Sequence, residues 1–130
     1  MKRVHLILLL PLLLLTMAFR QAPLNDPPPI QVPQGVSMAQ LETVVMEALS
    51  ARGWAISDHK PGEIDATYAR REFSVTIAVH YDARQVQINY LDSSNLKYEV
   101  KDGQRYIHKN YASWIQNLVT DIDNRFAMMH

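Results

Sequence analysis

Histidine, serine and aspartate are the side chains through which this chain could do chemistry, since it has no cysteine and so neither thiol catalysis nor thiolate metal sites nor disulfides. Of its five histidines, His5 lies in an apolar N-terminal run and His130 at the last position, which leaves His59, His80 and His108. None of these three stands four residues from another histidine or beside a carboxylate in a ligand pattern, so no metal and no cofactor is expected. A composite site from distant residues stays open. Ser93, Asp92 and His108 are the residue types of an acyl-transfer triad, yet no G-x-S-x-G elbow surrounds the serine and no glycine nearby could shape an oxyanion hole. Turn chemistry explains Asp92 and Ser93 better, because both side chains bond readily to local backbone N–H groups. His108 precedes a helical pattern, where its expected work is to satisfy free amides at the helix start. Tyr111 and Trp114 are three residues apart on that helix and are expected in the core, with a ligand groove as the alternative. Arg70 and Arg71 fall at a strand turn, where solvation is the default over anion binding.

The elements that must position these residues are legible from periodicity. Ser37 followed by Gln40 has the form of a capping box, and Leu41, Val44, Val45, Ala48 and Leu49 then recur on one helical face up to Gly53. Trp54-Ala55-Ile56 reads as a short extended segment and Pro61-Gly62 as a turn. Three alternating segments follow: Ile64, Ala66, Tyr68; Phe73, Val75, Ile77, Val79, Tyr81; and Val86, Ile88, Tyr90. Their joins are too short for parallel crossovers, so an antiparallel meander is expected, with Tyr68 facing Phe73 and Tyr81 facing Val86. The opposite, polar face would then carry Asp65, Thr67, Ser74, Thr76, His80, Gln87 and Asn89. Leu96 to Tyr106 contains a turn signal at Asp102-Gly103 and reads as an irregular loop or a small extra hairpin. Tyr111, Ile115, Leu118, Ile122 and Phe126 mark a second amphipathic helix from about Lys109 to Ala127. Two apolar helical stripes and one half-buried sheet give an α+β fold: a three-stranded antiparallel meander with an N-terminal and a C-terminal helix on one face.

Lys2 and Arg3 precede an apolar run from Val4 to Met17, and Thr16-Met17-Ala18 offers small residues for cleavage after Ala18. Residues 1–18 therefore read as a signal peptide; the alternative is an uncleaved membrane anchor, for which the run is short against roughly 20 residues. Residues 19–35, with five prolines from Pro23 to Pro33, read as an extended tether, and residues 36–130 as one domain. Removing Lys2 and Arg3 with the signal leaves eleven basic and thirteen acidic side chains, a formal charge of minus two. Such a balance excludes long-range attraction to nucleic acid or anionic lipid, and leaves membrane contact only to an uncleaved N-terminus.

The segments Tyr90-Leu91-Asp92-Ser93-Ser94-Asn95-Leu96-Lys97-Tyr98 and Ile107-His108-Lys109-Asn110-Tyr111-Ala112-Ser113-Trp114-Ile115 resemble small envelope proteins and lipoproteins of proteobacteria. The chain lacks the lipid-acceptor cysteine of the lipoprotein members. The resemblance implies a signal followed by a compact α+β domain in the periplasm, or secreted, and carries no assigned activity. A non-enzymatic module contacting an envelope protein or a cell-wall component ranks first. Asp92, Asn95, His108 and Tyr111 are its candidate binding residues, with a small periplasmic hydrolase or ligand carrier using His108, Asp92 and Tyr111 as the alternative.

Overall fold

Helix α1 (Met38–Ala51) begins where Ser37 caps it: the serine side chain accepts the Gln40 N–H at 3.1 Å and the Gln40 side chain accepts the Ser37 N–H at 2.9 Å. Both arms of the capping box are thus closed. It ends through Arg52 and Gly53, the latter at φ +84°, a conformation that glycine adopts without a Cβ penalty. The computed structural model describes residues 20–129; the N-terminal segment expected as a signal or anchor, with His5, and His130 lie outside the described residues.

The chain is α+β, with more strands than a three-stranded meander. Strands β1 (Gln21–Pro23) and β2 (Ile30–Gln31) precede α1. After it come β3 (Ala55–Lys60), β4 (Glu63–Arg70), β5 (Phe73–Tyr81), β6 (Gln85–Ser94), β7 (Glu99–Lys101) and β8 (Gln104–His108), and then α2 (Asn110–Ala127). Five strands form one antiparallel sheet in the order β2-β6-β5-β4-β3, and three form a second in the order β1-β8-β7. The extra hairpin expected after Asn95 is β7–β8, turning at Asp102 and Gly103, both with positive φ, as a two-residue type I′ loop requires.

The β5–β6 pairing places Tyr81 opposite Val86 as expected. On the other side Tyr68 pairs with Val75 and Arg70 with Phe73, a register two residues away from the expected one. A shift of two keeps every side chain on its face, so the apolar set still lands together. Ile64, Ala66, Val75, Ile77, Val79, Val86 and Ile88 join Leu41, Val45 and Leu49 of α1 and Ile115, Leu118 and Ile122 of α2 in one core. A bulge then interrupts β6: Ile77 faces Tyr90 and Thr76 faces Asp92, which leaves Leu91 unpaired and exposed. Asp92 and Ser93, expected in a turn, instead belong to β6, which runs on to Ser94.

The proline-bearing stretch expected as a tether outside the domain is built into it. Gln21–Pro23 pairs with β8, Ile30–Gln31 pairs with β6, and Leu24 and Ile30 are buried in the core. Proline has no N–H to donate, so this strap holds on through the groups it has left. Leu24 donates to the Arg105 carbonyl at 2.8 Å, the Pro27 carbonyl accepts from the Gln87 side chain at 3.0 Å, and Asp26 accepts the Tyr90 N–H at 3.0 Å.

Candidate functional site

Four strand ends and the start of α2 meet at one end of the main sheet. Asn95, at φ +58°, donates its side-chain N–H to the Glu72 carbonyl at 2.6 Å and so ties the exit of β6 to the β4–β5 turn. His108 closes β8: its backbone N–H reaches the Leu96 carbonyl at 2.7 Å, and its Nδ1 accepts the Asn110 N–H at 3.1 Å. That bond satisfies one orphan amide of α2, the work expected of this histidine, and leaves the ring proton on Nε2. Asn95 and His108 consequently face one groove of about 240 Å³, walled by Glu72, Phe73, Leu96, Asn110 and Trp114.

The aromatic wall is fixed by stacking. Trp114 lies parallel to Phe73 with centroids 5.3 Å apart, and Tyr68 bridges Trp114 at 5.2 Å and Trp54 at 5.4 Å. The Arg70 guanidinium sits 4.4 Å over the Tyr68 ring, a cation–π contact that holds this arginine against the aromatic cluster.

Not all four candidate residues come together. His108 also lines a second pocket, of about 270 Å³, in which Tyr111 stands. Asp92 lines neither, because β6 continues past the Leu91 bulge and holds Asp92 opposite Thr76. One patch of Asp92, Asn95 and His108 is therefore not formed. Nor is a triad: the Ser93 hydroxyl bonds the Tyr90 hydroxyl at 2.6 Å, and His108 Nδ1 is occupied by the helix amide. A nucleophile without a base in hydrogen-bond reach is not activated. Sequence reasoning did not assign Glu72, Phe73 and Asn110 to a site: Phe73 was read only as a strand residue, and Glu72 and Asn110 had no signal beyond adjacency to a turn and a helix start. It also missed Asp26, set aside with the prolines, which accepts from Asn89 at 3.0 Å and lies 3.6 Å from Arg105.

The polar face of the sheet holds Asp65 between Asp58 on β3 and Ala78 on β5. Asp65 Oδ1 is buried without a hydrogen-bond partner among the described residues. Desolvation, then the nearby Glu63 and Asp58 carboxylates, raise its pKa above the ordinary aspartate value. A raised carboxylate costs stability above its folded pKa and nothing below its unfolded value, near 3.8. Asp65→Asn is accordingly expected to raise the melting temperature at pH 7, with the gap to the parent closing as pH falls below about 4. Equal melting temperatures at pH 7 would show that the carboxylate is solvated. Among the described residues no group of three or more histidine, aspartate or glutamate side chains is placed to hold a metal ion, and no helix is long and apolar enough to cross a membrane.

Fold and groove together define a small two-sheet α+β domain with a mixed polar and aromatic cleft where the sheets meet the second helix. No family model matches the chain, and no curated protein or solved structure is similar to it.

Proposed function

We propose that this protein is a non-enzymatic binding module of the bacterial envelope, exported by its N-terminal segment, and that the groove between Asn95 and His108 takes an uncharged, amide-rich cell-wall component. The hydrogen-bonding inventory of the groove carries this reading. His108, Asn110 and Trp114 line it, and His108 Nε2, the Asn110 side chain and the Trp114 indole N–H have no hydrogen-bond partner among the described residues. Glu72 is its only ionisable side chain besides His108. Amide, imidazole and indole groups beside aromatic surface suit a ligand with amides and hydroxyls on an apolar frame, as the N-acetylated glycan of a cell wall is. The alternative, a small hydrolase or ligand carrier using His108, Asp92 and Tyr111, needs these three in one site, and of them only His108 lines this groove.

Co-sedimentation with purified peptidoglycan tests the proposal. Asn110→Ala removes a side chain that braces nothing, so it is expected to reduce the bound fraction several-fold with an unchanged melting temperature, as for surface residues without a structural role. Asn95→Ala and His108→Ala each delete a bracing bond and should lower binding beyond what their loss of stability explains. Undiminished binding by Asn110→Ala and His108→Ala would overturn the site. Capture of an envelope protein through a crosslinker at residue 110, with no retention by peptidoglycan, would overturn the ligand class.

A further inference from the structure

The second pocket has a feature that its size alone would not explain. The strap covers one side of it and α2 the other, with Pro23, Leu24, Pro27, Ile107 and Ile115 among the apolar residues of the wall. Its volume of about 270 Å³ corresponds to about nine molecules of liquid water, too little for a folded partner and sufficient for a compact organic molecule. Tyr111 is in this wall, and only 5% of it is exposed. Buried tyrosines normally bond through their hydroxyls. Tyr81 does so, donating to Glu42 at 3.0 Å, and Tyr90 shares a 2.6 Å bond with Ser93. Tyr111 has no hydrogen-bond partner among the described residues, and although the residue is almost wholly buried its hydroxyl is not sealed off, so a donor on a mostly enclosed ring is left for whatever enters the pocket.

The surrounding charges define the kind of molecule. Asp26, the carboxylate in the wall, is already engaged: Oδ1 accepts the Tyr90 N–H, and Oδ2 accepts the Asn89 amide and lies 3.6 Å from Arg105. An anion would meet the field of Asp26, and a cation would have to displace Arg105. Burial, with the Asp26 charge second, pushes the Tyr111 pKa far above that of a free phenol, so the hydroxyl keeps its proton and acts as a donor. We propose that this pocket binds a small uncharged molecule with an apolar or aromatic body and one carbonyl group, which accepts the hydrogen bond from the Tyr111 hydroxyl. This site stands apart from the Asn95 groove, sharing only the His108 wall.

Benzamide and toluene, which differ by the amide, serve as probes of the purified protein, followed through the backbone amide signals of Ala112 and Ile115 by NMR. Benzamide is expected to shift these signals saturably at millimolar concentration. Tyr111→Phe, which removes one oxygen, should weaken benzamide roughly five- to tenfold, the share of one hydrogen bond, and leave toluene unaffected. The melting temperature of this variant should equal or exceed the parent's, because no bond within the protein is lost. Ala112→Leu, which fills the pocket from its rim, should abolish binding of both probes. Asn95→Ala should change neither, which separates this site from the groove proposal. Absence of saturable benzamide shifts in the parent, or equal benzamide affinity in Tyr111→Phe, would overturn the proposal. Binding of both probes to a folded Ala112→Leu variant would do so as well.

Discussion

Ile77→Ala is expected to cost about 2 to 5 kcal/mol in urea unfolding, with the midpoint moving and the slope unchanged. Ile77 is fully buried at the middle of β5, between Ala66 on β4 and Tyr90 on β6, with both helices closing the core above it. Truncation removes transfer free energy and leaves a cavity that five hydrogen-bonded strands resist collapsing. Its neighbour Thr76 faces the other way and shares a 2.8 Å hydroxyl bond with Thr67. Thr76→Ala gives up that bond and little packing, a loss of about 1 kcal/mol. Equal losses would mean that the faces of the sheet are assigned the wrong way round.

The second large effect lies where the sequence pointed to a spacer. Leu24→Ala is expected to cost about 2 to 5 kcal/mol, a value typical of a core leucine, because Leu24 is only 2% exposed among proline neighbours. Asn25→Ala, at the exposed next position, should stay within about 0.5 kcal/mol. A free tether would give two silent substitutions. Thermal unfolding of both variants decides between a strap and a spacer.

Alternation and helical spacing carried the two helices and the strands β4, β5 and β6, because a residue buried on one face leaves its period in the sequence. The strap left no such trace. Its two strands are three and two residues long, and its prolines mark absent donors without marking the side-chain acceptors that replace them. β3 was legible only at its start, since it is an edge strand whose six residues are all exposed. At the candidate site, His108 was legible as a cap from its place before a helix. Asp92 was misplaced because a bulge at Leu91, which nothing in Tyr90-Leu91-Asp92 announces, carries the strand onward. The partnership of Asn95 with Glu72 joins residues 23 apart through a side chain and a backbone carbonyl, a contact that residue types alone do not encode.

The strap also sets the order in which the chain can become a protein. Gln21 reaches Lys97, 76 residues on, and Asp26 reaches Tyr90, 64 residues on. The strap is synthesised before its partners, so Gln21 and Asp26 must wait for Lys97 and Tyr90 before their own contacts can exist. Contacts so distant along the chain are paid for in loop-closure entropy before they return any stability, so they close late and slowly. Until then Leu24 and Ile30 stay outside the core they will complete, and the strap is the last of these elements to be secured.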